Sequence, residues 1–277
     1  MTKHQKRVAV ITDFSGFGRC STAVDLPIIS AMKIQCCVLP TAVLSAHTGY
    51  PSYWLHDFTH HMTDYMNNWK ELNLTFDGIG VGYLGSTLQI HQVQKFFEMF
   101  EEEDTLVLLD PIMGDDGKLY SSYTPELCGA MRELVPCADV ITPNLTEACL
   151  LLGIDYDGLV RDYATLDMLV KRLSDMGPSK VVITGLEEEG YVFNYAYDRE
   201  SGLAPKRIGT AKVGTQRAGS GDVFAAVLFA SLVKGDDFFD SVKKAVDFIA
   251  KCLKFTEECN TPLQDGLMFE EYLTELK

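Results

Sequence analysis

The chain has no Walker-type GxxxxGK[ST] loop, no CxxC pair and no apolar run long enough to span a bilayer. The first absence means that any nucleoside triphosphate must be held in another way. The second, with eight cysteines spread over 277 residues, excludes a disulfide framework. Cys36 and Cys37 are adjacent in an apolar run, and Cys149 and Cys252 fall in helix-like segments. All eight read as reduced, small core residues of a cytoplasmic protein. Positive charge is scarce: 24 Lys and Arg stand against 39 Asp and Glu, a net charge of −15. That argues against a nucleic-acid or anionic-membrane partner. It leaves a nucleotide ligand open, because helix ends and metal ions override the global field locally. Met1 to Arg7 is polar and runs straight into a strand-like segment, without the apolar core or cleavage site of a signal peptide.

The composition is that of a globule with a sizeable core, 47% hydrophobic and 23% charged. Apolar, β-branched runs alternate with helix-like stretches. Strands are predicted over 8–12, 36–40, 76–86 (passing into a turn), 105–111, 138–144 and 180–185. Helices are predicted over 21–32, 52–70, 87–102, 125–134, 147–152, 163–176, 219–255 and 269–276. Residues 190–196 and 204–210 read as a hairpin. This pattern predicts an α/β fold: one domain over 1–277, with a mostly parallel central sheet and helices on both faces. In such sheets ligands bind beyond the carboxyl ends of the strands. Asp13, Ser15, Tyr83, Asp110, Asn144 and Thr184 all fall at those ends.

The sharpest stretch is Arg217-Ala218-Gly219-Ser220-Gly221-Asp222, running into the apolar Val223–Ala230. Three small residues leave the backbone bare at the free end of a new helix, where unpaired N–H groups and the positive end of the dipole suit an anion. A carboxylate beside an anion site has one natural task, to accept the proton of a hydroxyl attacking phosphorus. The plainer alternative is a helix start capped by Ser220 or Asp222. Asp110-Pro111-Ile112-Met113-Gly114-Asp115 places two carboxylates after a strand, suited either to Mg²⁺ shared with phosphates or to a simple turn. Asn144 reads as a helix cap. Glu147, in the same first turn, stabilises the helix start or serves as an outer ligand of hydrated Mg²⁺. Gly80–Gly85 matches GxGxxG, but its glycines fall partly inside a strand and outside the first βαβ unit, so a nicotinamide-dependent oxidoreductase is a remote alternative. His56, His60 and His61 read as a solvated helix face.

With these stretches in place the chain resembles the pyridoxal kinase family of the ribokinase-like superfamily, over nearly its whole length and in motif order. Ser45–Tyr50 is similar to the family's SNHTGY loop, Gly82–Ser86 to its GYLGS turn and Asp110–Asp115 to its DPVMGD segment. Asp139–Asn144 is similar to its DIITPN segment and Gly219–Asp222 to its GTGD signature. The resemblance implies a kinase acting on the 5′-hydroxymethyl of vitamin B6 vitamers. Asp222 would be the base, and Gly219, Ser220 and Gly221 the anion hole. Asp110, Asp115, Asn144 and Glu147 would arrange Mg²⁺ and the ATP phosphates, which Thr184 would also face. Ser15, Thr41 and Tyr83 would surround the pyridine ring, with His47 nearby. It also implies a monovalent cation such as K⁺, a homodimer, and a hairpin near the nucleotide. Ser220 stands for the usual threonine, Ala46 for an asparagine, and Asp13–Gly18 departs from the family's Ser-His opening. The related hydroxymethylpyrimidine kinases share the catalytic parts and are the alternative.

Overall fold

A computed structural model describes residues 5–277; Met1 to His4, the start of the polar N-terminus, lie outside the described residues. The chain opens with β1 (Arg7–Ser15), α1 (Thr22–Ala31) and β2 (Gln35–Leu44). A short β3 (Leu55–Asp57), α2 (Thr59–Glu71), β4 (Gly78–Val81), α3 (Thr87–Phe100) and β5 (Leu106–Leu109) follow. Next come a two-strand hairpin, β6 (Gly114–Asp115) and β7 (Lys118–Leu119), then α4 (Pro125–Met131), β8 (Val140–Ile141), α5 (Leu145–Leu152) and α6 (Tyr163–Ser174). The last part is β9 (Lys180–Glu188), β10 (Tyr191–Asp198), β11 (Lys206–Ala211), α7 (Ser220–Lys234) and α8 (Phe238–Glu258).

Nine strands form one sheet in the order β11-β10-β9-β8-β5-β4-β1-β2-β3. Strands β2, β1, β4, β5, β8 and β9 pair in parallel, and β3, β10 and β11 are antiparallel additions at the two edges. Alternation along β1 sends Ala9 and Ile11 to one face and Val8 and Val10 to the other. The first face packs on α2 to α6, the second on α1, α7 and α8, as the alternating pattern predicts. From β1 the chain passes to β2 on one side and then to β4 on the other. That reversal opens a crevice at the carboxyl end of β1, the place where such sheets bind ligands.

Several boundaries differ from the sequence reading, each for a local reason. Residues 52–70 are not one helix: Leu55–Asp57 pairs with the extended end of β2, and Asp57 then accepts a bond from Thr59 N–H, so α2 starts at Thr59. His56 therefore sits on a strand, stacked on Trp54, and only His60 and His61 lie on the helix, all of them exposed. The predicted helix over 219–255 breaks at Gly235, which has φ 88°, and Asp237 caps α8. Gly78 and Gly80 face Phe229 of α7, where a β-carbon would approach its ring to 3.0 and 3.2 Å. Of the GxGxxG match, Gly80 thus lets a helix lie close to the sheet and Gly82 packs on Thr12, where a β-carbon would come within 2.8 Å, so the dinucleotide alternative loses its motif. The cysteines are unpaired, but Cys137 and Cys259 are exposed rather than core residues. Among the described residues no helix is long and apolar enough to cross a membrane.

Candidate active site

Helix α7 begins at Gly219, whose φ of 74° is left-handed backbone. A β-carbon there would lie 1.7 Å from the Arg19 carbonyl oxygen. Gly221, two residues on, has nothing within 4 Å of a notional β-carbon, so the first turn faces open space. The Ser220 hydroxyl is directed into the turn, donating to the Arg217 carbonyl at 2.9 Å. Buried Arg217 anchors the turn from beneath. Its guanidinium donates to Glu257 at 3.0 Å, and to the Thr261 and Pro262 carbonyls at 3.0 and 3.1 Å. In the sequence Arg217 shows only as a lone cation beside small residues, with no role of its own.

Asp222 lies in this first turn and shares a cavity of about 30 Å³ with Asp110, Asp25 and Thr12. Burial, opposed by a bond from the Ser21 backbone N–H and reinforced by the charge of Asp13, pushes the Asp222 carboxyl up to about 6. Burial and the charge of Asp222 push Asp110 up to about 7, although the Thr142 hydroxyl donates to it at 2.9 Å. Asp25, which the sequence reading did not single out, is held well above the ordinary carboxylate range by burial and by Asp222, Asp110 and Asp13. A single acid in the first turn of an otherwise apolar α1 looked like ordinary dipole stabilisation.

The ends of β8 and β9 bring Asn144 and Thr184 together through an isolated parallel bridge. Asn144 Oδ1 accepts from the Glu147 N–H at 2.9 Å, and Glu147 Oε2 accepts from the Asn144 N–H at 2.8 Å, a reciprocal capping box at the start of α5. Glu147 also accepts from Met113 N–H at 3.0 Å, and Asn144 Nδ2 donates to the Gly114 carbonyl at 2.8 Å. The pair therefore ties the Asp110–Asp115 loop to α5. Burial first, then the charge of Asp110, holds Glu147 well above its ordinary range. Asp115 is half-buried, and Gln216 of the loop before Gly219 donates to it at 3.4 Å. Among the described residues no three His, Cys, Asp or Glu side chains gather into a metal cage. Two recessed carboxylates, Asp110 and Glu147, that oppose each other's ionisation do fit an ion held partly by water and phosphate, the habit of Mg²⁺.

On the other side of the crevice, Ser15 is buried and donates to Asp13 at 3.0 Å. The Thr41 hydroxyl, fully buried, donates to the Tyr83 carbonyl at 2.9 Å. Burial raises the Tyr83 phenol, and the Ser122 hydroxyl partly offsets it. His47 lies in a loop that packs Tyr50 on its ring at 4.7 Å. Its Nδ1 accepts from the Gly49 N–H at 3.1 Å, so Nε2 carries the proton and donates to the Gln264 carbonyl at 2.7 Å. Tyr50 Oη adds a bond to Asp265 at 2.8 Å. The loop is thus strapped to the segment after α8. A separate recess of about 460 Å³, lined by Glu188, Tyr191, Phe193 and Arg207, belongs to the β9–β11 edge and shares no residue with this crevice.

A helix start open to an anion, a carboxylate beside it and a second acidic group across a narrow cavity suit transfer of a phosphoryl group to an alcohol. Together with the sheet order, they define a small-molecule kinase of ribokinase-like fold. Residues 22–266 match the family model described as phosphomethylpyrimidine kinase, and the chain belongs to that family. Pyridoxal kinase of Sus scrofa is 31% identical over 244 residues, covering 78% of this chain and 71% of that protein. A Bacteroides thetaiotaomicron protein, provisionally described as a phosphomethylpyrimidine kinase and crystallised in an orthorhombic form with pyridoxal, is 37% identical. It covers 99% of this chain and 96% of its own, with a TM-score of 0.94. Pyridoxal kinase of Leishmania donovani, in complex with ADP and pyridoxamine, is 25% identical over 98% of this chain and 95% of its own, with a TM-score of 0.85.

Proposed function

We propose that the protein transfers the γ-phosphoryl group of ATP to the 5′-hydroxymethyl group of vitamin B6 vitamers, pyridoxal, pyridoxamine and pyridoxine. The observation that carries the reading is Asp222 in the first turn of α7, beside an anion site that Gly221 leaves open. Asp222 accepts the hydroxyl proton as the oxygen attacks phosphorus, and its raised proton affinity suits that task near neutral pH. The N–H groups at the start of α7 receive the charge that develops on the transferring phosphoryl. Gly219 sets the turn, and Ser220 steadies it through Arg217. Asp110, Asp115, Asn144, Glu147 and Thr184 lie on the nucleotide side, with Asp110 and Glu147 placed to order Mg²⁺ or its waters. Bound Mg²⁺ would neutralise phosphate charge there. Ser15, Thr41, Tyr83 and His47 form the substrate side.

The matching bacterial structure with pyridoxal and the kinase complex with ADP and pyridoxamine support this choice of substrate and nucleotide. The family description favours a second reading, phosphorylation of hydroxymethylpyrimidine or its phosphate. Phosphorus NMR of reactions with Mg-ATP and K⁺ tests the proposal. A new phosphate-monoester signal coupled to a CH₂ group, formed from a B6 vitamer, is the expected result. Formation of that ester from the pyrimidine alone would move the substrate to the second reading. We take the 277 residues as one domain and the enzyme as a cytoplasmic homodimer. Tyr53, Trp54 and Leu55 at the β3 edge are 44, 61 and 41% exposed, an apolar strip suited to a second copy. Light scattering at the mass of one chain would contradict the dimer.

A further inference from the structure

Strand β1 is irregular where it enters the crevice. Its pairing with β2 runs Thr12 to Pro40 and then Phe14 to Val43, so an extra residue of β2 is accommodated opposite Asp13. Such bulges cluster beside active sites and re-aim side chains. Here the irregularity sets Asp13 beside Thr41. The Asp13 residue is only 6% exposed. One carboxylate oxygen accepts from Ser15 Oγ at 3.0 Å and the other from Ser21 Oγ at 2.5 Å. Ser21 is itself held at φ 50°, a conformation uncommon for a residue with a side chain, and its N–H also serves Asp222. One residue thus ties together the carboxylate on the substrate side and the base.

Asp13 lies within electrostatic reach of Tyr83, Cys20 and Asp222, between the ring-binding side chains and the reacting end. Among the described residues no lysine or arginine pairs with it; the His47 ring lies within electrostatic reach, but its Nε2 faces the Gln264 carbonyl instead. These two hydroxyls and the Asp13 backbone N–H still leave acceptor capacity of the carboxylate unused. A buried carboxylate beside a second one, with no cation in contact, is costly unless something brought from outside compensates it. Against the ring-binding side chains, that something is part of the substrate. In neutral water the 3-hydroxypyridine ring of the B6 vitamers is mainly the zwitterion, with its proton on the ring nitrogen and its negative charge on the phenolic oxygen. It therefore offers a cationic N–H donor.

We propose that Asp13 accepts a hydrogen bond from the protonated ring nitrogen of the substrate, so that the pocket selects a cationic nitrogen heterocycle. This rests on the B6-kinase reading above and names the chemical feature which that site recognises. The assignment replaces neutral ring recognition by a charge-assisted bond, the stronger kind.

The test compares pyridoxine with its analogue in which a C–H replaces the ring nitrogen. Wild-type protein should prefer pyridoxine by about 10-fold to 100-fold in kcat/KM, the range for a hydrogen bond to a charged group. Asp13→Asn should raise KM for pyridoxine about 10-fold or more, change kcat less, and bring the two compounds close together. ATP affinity of the variant, measured separately, should match wild type and report an intact fold. A second measurement needs no variant: the ultraviolet spectrum of pyridoxine bound to wild-type protein should keep the band of the zwitterion. Equal use of both compounds by wild type, an unchanged ratio in Asp13→Asn, or the band of the neutral ring in the complex would each overturn the assignment. Absence of turnover on every pyridine would instead bring down the B6 reading and this assignment with it.

Discussion

Two alanine substitutions two residues apart, at Gly219 and Gly221, should fail in opposite ways. At Gly219 the backbone is left-handed, and forcing a residue with a β-carbon into that region costs roughly 1–2 kcal/mol. The new methyl also meets the Arg19 carbonyl oxygen at 1.7 Å, a contact that cannot exist, so α7 or the 18–20 loop must shift. Such overpacking adds about 1–3 kcal/mol. For a chain of this size each kcal/mol lowers Tm by about 2–4 °C, so Gly219→Ala should lose on the order of 10 °C. At Gly221 a β-carbon meets nothing within 4 Å, and the position is helical. Stability should change by less than about 1 kcal/mol, in the direction of gain, because alanine favours helix. Yet the methyl fills the space before the exposed N–H groups. If that space receives the transferring phosphoryl, kcat should fall about 10²–10³-fold, as when a donor is lost from an oxyanion site. Thermal unfolding and steady-state ADP release on both variants decide it. Near-wild-type kcat in a well-folded Gly221→Ala protein would mean that the transferring phosphoryl does not occupy this space.

Other consequences concern charge. Asp222→Asn should keep nucleotide affinity and lower turnover about 10²–10⁴-fold, measured by nucleotide titration beside single-turnover kinetics. With wild type, kcat/KM should rise with pH through about 6 as Asp222 loses its proton, and that limb should vanish from the residual rate of the Asn variant. Asp222 and Asp110 both hold protons more tightly folded than unfolded. Their contribution to stability is therefore greatest below the ordinary carboxylate range and is lost as pH rises through about 6 and 7. Ligand-free protein should accordingly melt at a higher temperature at pH 5.5 than at pH 8, and Asp110→Asn should narrow that difference while abolishing turnover. Arg217→Met removes a guanidinium whose side chain is 3% exposed and leaves its carbonyl acceptors unpaired, a cost of about 2–4 kcal/mol. Denaturant unfolding should show that loss, and KM for ATP should rise as the turn before Gly219 loosens.

The parallel sheet was legible because its strands are short, continuous apolar runs, such as Val8–Ile11 and Leu106–Leu109, the mark of strands buried on both faces. The start of α7 was legible because small residues before an apolar run have few other uses. What escaped depends on contacts distant in sequence. Strand β3 has three residues and exists through its pairing with β2, so residues 52–70 looked helical throughout. The role of Gly80 appeared only when Phe229 was found across from it. Asp25 and Arg217 each look ordinary in their own segments. One acquires meaning from Asp110 and Asp222, the other from Glu257 and the turn after α8. Asp13 was recognised as a strand-end carboxylate, but its shared tether to Asp222 runs through Ser21, a residue that merely looked like the start of α1.

Most depends on whether this site phosphorylates the hydroxymethyl group of a B6 vitamer. The most direct measurement is kcat/KM for ADP release with Mg-ATP and K⁺, offering pyridoxal, pyridoxamine, pyridoxine and hydroxymethylpyrimidine side by side. The expected result is turnover of the three pyridines, at least one of them used better than the pyrimidine. Turnover of the pyrimidine alone, or of none of the four, would contradict it.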